Sequence, residues 1–321
     1  MDMRPAIEWT EDQYRAFGVV PQVARHRYHE SPLFNREQVI ALLESHPHGF
    51  IRGFTMGHDP EDYSDWKIVD VDRKWSGEDI WRAVESGRLW INILHVDREN
   101  LAFAELIRDM YEHLNEHCPQ LGGATSAFST LILSSPGAMV YYHLDAEPNM
   151  LWHIHGEKRM WVYPAMDLRF VPQEMIEDIY AGAMEDIPFR REFDQHAQCF
   201  HLKPGDVASW PHNGPHRIEN IDMCVSLATS YYSPSVYYRE YVQLANKFIV
   251  RKLGVRQPSM DEHGLAASCK RMSYRVLDKI RPFARSLPRN NFMTRLTLDP
   301  DAPNGIRHLD EEIVASYARQ S

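Results

Sequence analysis

Two histidines and one carboxylate carry the most suggestive chemistry in this chain. The segment YYHLDAEPN places His143 and Asp145 two positions apart, which on a β-strand turns both side chains to the same face. About seventy residues later KPGDVASWPHNGPHRIEN supplies a turn at Pro204-Gly205-Asp206 and then His216 on the next strand. Two imidazoles and one carboxylate on one face of Fe(II) leave coordination positions open, enough for a bidentate keto acid plus O2. A saturated ion could not activate oxygen. An HxD pair alone is not diagnostic, because a half-buried histidine beside a surface aspartate has the same spacing; the turn with a histidine ten residues after Asp206 narrows the reading. A second same-face pair, His153 and His155, opens a rival. With Gly205, Pro211, Gly214, His216 and Asn220 following in loose order, it suits a three-histidine cupin acting as an isomerase or a keto-acid-independent dioxygenase.

The elements that must position these groups are short strands. From Ala127 the stretches FSTLILSS, AMVYYHL, RMWVYPA, HLKPG, DVASWP, RIEN and MCVSLATSYY are punctuated by Pro, Gly and Asn. They predict an antiparallel barrel or sandwich over residues 125–235. Residues 166–191 read as an acidic, partly helical insertion placed where a lid could be. The first 124 residues read as helical and irregular: Asn35 caps REQVIALLESH with Gln38 as capping partner, Ser76 caps GEDIWRAVE, and an amphipathic helix runs from 98 to about 117. After Pro234 the pattern is helical again, in a basic extension over 236–321. The expected fold is a β core flanked by helices on both sides.

The stretch HLDAEPNMLWHIHGEKRMWVYP resembles the JmjC-like cupin hydroxylases, the group that includes the asparaginyl hydroxylase of hypoxia signalling and bacterial ribosomal oxygenases. That family has an Asn six residues after the first His, a Gly thirteen after it and a basic residue fifteen after it; here these are Asn149, Gly156 and Lys158. PGDVASWP followed by His216 matches the family's turn, strand and second histidine, so the resemblance covers residues 125–235. It implies a double-stranded β-helix, iron held by His143, Asp145 and His216, and an oxygenase that uses Fe(II), 2-oxoglutarate and O2. It further implies that Lys158 meets the far carboxylate of 2-oxoglutarate and that Asn149 orients ligands or substrate. Some members carry Thr three residues before the first His, where this chain has Val140; Thr130, Tyr142 and Thr229 are the candidates for a second carboxylate partner. The implied reaction is hydroxylation of a protein, peptide, sugar or metabolite.

Composition limits the alternatives. The formal charge of -10 argues against a surface built for nucleic acid. Yet Lys247 to Arg295 holds twelve basic residues against Asp261, Glu262 and Asp278. That patch suits a sensor presenting its helices to DNA, or else helices packed on the acidic remainder of the chain or of a dimer mate. Four dispersed cysteines make no CxxC pair, which points to reduced packing residues. No apolar run nears the roughly 20 residues that span a bilayer, and the expected location is the cytoplasm. A homodimer through the terminal helices is expected from the resemblance.

Overall fold

The computed structural model describes residues 5–71, 74–183, 187–280 and 295–311. In chain order the elements are α1 (Glu11–Ala16), β1 (Gln22–Arg25), α2 (Arg36–Ser45), β2 (Ile51–Thr55), β3 (Lys67–Asp70), α3 (Gly77–Ser86), β4 (Leu89–Leu94), α4 (Val96–Glu99) and α5 (Leu101–His117). Then come β5 (Thr125–Ser134), β6 (Met139–His143), β7 (Asn149–His155), β8 (Lys158–Val162), α6 (Gln173–Tyr180), β9 (Gln198–Leu202), β10 (Asp206–Ser209), β11 (His216–Asn220) and β12 (Cys224–Tyr232). The chain continues through α7 (Pro234–Ala245), α8 (Gly264–Ile280), β13 (Leu296–Leu298) and β14 (Ile306–His308).

Local chemistry accounts for the helices that brace the core. Ser76 and Asp79 form a reciprocal capping box at the start of α3, which satisfies two N–H groups that a helix terminus otherwise leaves unpaired. Asn100 accepts from the amides of Ala102 and Phe103 to start α5. The buried stripe of that helix, Phe103, Ile107, Met110, Tyr111 and Leu114, follows the helical period read from the sequence. Asn35 stands at the N-cap of α2 but makes no side-chain capping bond, so the capping box expected there does not form.

Two sheets carry the barrel region. The larger has the order β1-β10-β7-β12-β5-β4-β2-β3-β13-β14 and the smaller β6-β11-β8-β9. Between them lies an apolar interior drawn from both, including Met139, Tyr141, Leu151, Met160, Val162, Trp210 and Ile218. On the other side of the large sheet, Leu131, Leu133, Ile91 and Ile93 pack with Ile80, Trp81, Phe103 and Ile107 of α3 and α5. A third cluster joins Tyr142, Leu144 and Tyr163 to Ile176 and Ile179 of α6, Leu244 of α7 and Tyr274 of α8. Each fully buried Ile, Leu or Phe side chain contributes roughly 1.5–3 kcal/mol of transfer free energy, so the helices on both sides are integral to the fold.

The first 124 residues are more β-rich than their sequence pattern suggests. β1 extends the large sheet by pairing with β10, and β4 pairs with β5 across the expected boundary at residue 124. The physical reason is that β5 and β10 would otherwise present unpaired edges. From the far end of the chain, β13 joins β3 in parallel. Between β8 and β9, where the sequence reading places the insertion, lies α6. Part of the basic segment is spent on it: Arg251 meets buried Glu177 and Lys247 meets Asp178. Packing on an acidic part of the same chain is thus realised for these residues; 281–294, with further arginines, lies outside the described residues.

Candidate metal centre

His143 ends β6 and His216 opens β11, and the two are directly paired across the strands. Their rings lie 4.2 Å apart between centroids. Asp145 follows two residues beyond the strand end, with Oδ1 3.9 Å from His143 Nε2 and Oδ2 3.7 Å from His216 Nε2. One ligand atom from each residue falls within 4.8 Å of the others, close enough for one ion. Each histidine is also committed to a tautomer. His143 Nδ1 donates to the Tyr141 carbonyl at 2.8 Å, and His216 Nδ1 to the Gly214 carbonyl at 3.1 Å. Both Nε2 lone pairs are left for a metal, and carbonyl partners of this kind fix ring orientation and raise ligand basicity.

The electrostatics agree with that donor set. Burial pushes the Asp145 carboxyl up, against the opposing pull of His143 and the Asn149 amide. Burial, and then the neighbouring His143, hold His216 well below the ordinary imidazole value. A divalent cation among them favours carboxylate and neutral imidazole together. Two imidazoles plus one carboxylate on adjacent strand ends fit an Fe(II)-type ion that keeps open positions.

The triad opens on a cavity of about 490 Å³ between the sheets, walled by Phe54, Trp66, Trp90, Tyr141 and Trp210 and also lined by Thr130 and Asn149. Asn149 donates from Nδ2 to Asp145 Oδ2 at 3.3 Å. Lys158 begins β8 and is fully buried, like Met160 and Val162 two and four residues on. Its Nζ has no hydrogen-bond partner among the described residues and stands 5.3 Å over the Trp90 ring. Burial pushes its pKa down. An ammonium left without a partner in an apolar interior is costly, and an anionic carboxylate would resolve that cost. Gly156, in the turn before it, has φ +78°, and a Cβ there would meet the Met223 carbonyl at 2.1 Å.

The remaining candidates divide. Thr130 lines the cavity. Tyr142 does not: it packs edge-on against Tyr163, and its hydroxyl donates to the Phe170 carbonyl. Thr229 accepts from Trp152 Nε1 at 3.0 Å, with Trp152 in the cluster shared with the helices. The second histidine pair is not a metal site among the described residues. His153 uses both nitrogens, accepting from Ser226 Oγ at 3.0 Å and donating to the Gly156 carbonyl at 2.8 Å, while His155 is exposed. The rival three-histidine arrangement therefore lacks its donors.

Sequence reasoning missed Trp90 and Asn92, which enter the cavity from β4 with Trp90 Nε1 donating to Asn92 Oδ1 at 2.8 Å. The run LWINIL is rich in strand formers and was the available signal. His212, in the loop before β11, is half-buried beside Asp145's loop, with Nε2 donating to the Ala146 carbonyl at 2.7 Å.

No protein-family model matches the chain, and no curated protein matches it. Among solved structures, the X-ray structure of YcfD from E. coli aligns with a TM-score of 0.50 at 14% identity, over 87% of this chain and 70% of that one. The chain shares the fold of YcfD. A structure of YcfD as a ribosomal oxygenase in complex with cobalt and 2-oxoglutarate gives a TM-score of 0.49 at 13% identity, over 87% of this chain and 70% of that one. A third, with cobalt and succinic acid, gives 0.48 at 14% identity, over 88% and 69%. The likeness to YcfD is one of backbone architecture. The site assignments rest on the distances above.

Proposed function

We propose that this chain is an Fe(II)- and 2-oxoglutarate-dependent oxygenase that hydroxylates its substrate. The observation that carries the reading is the His143, Asp145 and His216 set, with both Nε2 atoms free and turned to a cavity between two sheets. The strand arrangement supports a double-stranded β-helix over residues 125–235, since β5 to β12 divide between two facing four-strand sets, β10-β7-β12-β5 and β6-β11-β8-β9. Bound there, an iron and 2-oxoglutarate pair supplies O2-dependent oxidative decarboxylation of the keto acid coupled to oxygen insertion into a substrate C–H bond.

The chain's own residues supply geometry. His143, Asp145 and His216 hold the ion, Lys158 receives the distal carboxylate, and Thr130 and Asn149 offer polar contacts along the cavity wall. Trp90, Tyr141 and Trp210 keep the interior dry and select which C–H bond is presented. The insertion at 166–191 limits water entry. YcfD is described as a ribosomal oxygenase, and a protein side chain is the substrate class we favour over a peptide, sugar or metabolite. Dimerisation through the terminal helices belongs to the same proposal, supported by the exposed apolar side chains Leu265, Met272 and Val276 on α8. No helix among the described residues is long and apolar enough to cross a membrane, in keeping with the proposed cytoplasmic location.

Anaerobic titration of the apo-protein with Fe(II) and 2-oxoglutarate tests the reading. The wild type is expected to develop the weak visible charge-transfer band of the chelate, and Lys158→Ala to need roughly ten- to a hundredfold more 2-oxoglutarate, the scale of losing a charge-assisted hydrogen bond of about 1.5–3 kcal/mol. Full metal binding with no band in the wild type would overturn it.

A further inference from the structure

The loop bearing Asp145 is held from outside the barrel by a buried network that the metal chemistry does not require. Asn213, in the loop before β11, sits at φ +60° and donates from Nδ2 to the Asp145 carbonyl at 2.9 Å. Its Oδ1 accepts from the Tyr180 hydroxyl of α6 at 2.9 Å and from Arg239 Nη1 of α7 at 3.3 Å. The same Arg239 nitrogen donates to the His212 carbonyl at 2.9 Å, and its Nε donates to Glu262 at 2.6 Å. His212 in turn binds the Ala146 carbonyl. Asn213 and Tyr180 are 3% and 7% exposed, so little water competes for these bonds. One residue further on, Gly214 offers the carbonyl that orients His216. A single turn thus touches both ligand-bearing segments, and two elements outside the barrel grip that turn.

We propose that Asn213 is a positioning residue for the metal centre, latched by Tyr180 of the insertion and Arg239 of the C-terminal helices. This inference rests on the proposed metal site. The latch sets the direction of the Asp145 backbone as it leaves β6, and with it where the carboxylate points. The insertion acquires a role beyond covering the cavity: its helix and the C-terminal helix set metal affinity without touching the metal. Partners of this type, one bond removed from a ligand, typically tune metal affinity by roughly ten- to a hundredfold.

The test measures Co(II) binding by the full-length protein from its d–d absorption, alongside thermal melting. Asn213→Gly tolerates the positive φ and removes only the side chain. Asn213→Asp keeps an acceptor for Tyr180 and Arg239 but opposes the Asp145 carbonyl with another acceptor. Both are expected to weaken Co(II) binding by about tenfold or more and to change the band shape. The Tyr180 hydroxyl also lies 3.0 Å from His212 Nε2, so Tyr180→Phe is expected to weaken it less, and the double variant Asn213→Gly with Tyr180→Phe to lose less than the sum of the two single losses, because Tyr180 acts in part through Asn213. Asn115→Ala serves as the stability control: it breaks a comparable pair of bonds to Ala124 and is expected to lower the melting temperature with Co(II) affinity unchanged. Wild-type affinity and spectrum in Asn213→Gly would overturn the latch, as would full additivity in the double variant. Absence of Co(II) binding in the wild type would instead remove the metal site itself and the latch with it. Should Asn213→Gly fail to fold, Tyr180→Phe decides alone, and an unchanged affinity and spectrum there would overturn the latch.

Discussion

His143 with Asp145, at the end of β6, and His153 with His155, on β7 of the other sheet, have the same spacing, yet only the first pair is available to a metal. His143 spends Nδ1 on a carbonyl and keeps Nε2; His153 spends both nitrogens, on Ser226 and Gly156. What separates a ligand from a structural histidine is the accounting of its second nitrogen. A hydroxyl or a turn carbonyl in the right place decides the matter, and neither is visible in a motif. His153 and the triad are both largely shielded from solvent, so burial alone does not distinguish them.

The largest expected contrast comes from exchanging the roles. Asp145→Ala should weaken Fe(II) or Co(II) binding by at least roughly a hundredfold, since a direct ligand matters more than the outer partners that cost 10–100-fold. His153→Gln should leave metal affinity within about twofold while lowering stability by about 1–3 kcal/mol, the cost of leaving buried polar groups unpaired. Isothermal titration and urea unfolding of the two variants check both; a large loss of metal binding in His153→Gln would restore the three-histidine arrangement.

Lys158 sharpens the comparison from the opposite side, as a buried group with no hydrogen-bond partner among the described residues. Lys158→Met should stabilise the apo-protein by about 1–4 kcal/mol, as replacing buried charge with a packed apolar group often does, while abolishing tight 2-oxoglutarate binding. Melting curves with and without 2-oxoglutarate read both effects. A less stable Lys158→Met protein would mean that the ammonium is already satisfied without the keto acid.

The smallest effect is in acid. Burial holds His26, His153 and His212 down at about 3, against an ordinary value of 6.5. Between those values the unfolded chain binds protons that the folded chain refuses. Their contribution is therefore fully present above about pH 6.5 and is lost as pH falls toward 3. His153→Gln should flatten the slope of unfolding free energy against pH in that window by up to about 1.4 kcal/mol per pH unit, one proton's worth. Parallel slopes for the two proteins would show that His153 takes up its proton in the folded state.

Much of the site was legible because it depends on strand alternation and turn chemistry. The alternation that joins His143 to Asp145 also turns Tyr142 away, so that candidate conflicted with the rule that found the metal ligands. Val140 escapes the same alternation through the register shift between His216 and Ile218 against β6, and so lines the cavity together with Tyr141. Thr130 and Ala228 are opposite each other on the cavity face, which leaves Thr229 on the other side. The strands of the first 124 residues were hidden because β1 to β4 are four to six residues long and sit among helices, where pairing partners far along the chain decide their state. The Asn213 contacts were out of reach for a related reason: they join residues 145, 180, 213 and 239, and no local pattern specifies such a meeting.

The pairing of buried Glu177 with Arg251 also orders events in time. Synthesis proceeds from the N-terminus, so β5 to β12 are all available once residue 232 has emerged, while Glu177 still awaits its guanidinium nineteen residues further on. Until then the Glu177 carboxylate has the Gln173 amide but no cation, which is costly for a buried charge, and Arg239 has yet to meet Glu262. The contacts that hold the Asp145 loop from outside therefore draw on residues that follow every strand from β5 to β12, Arg239 and its partner Glu262.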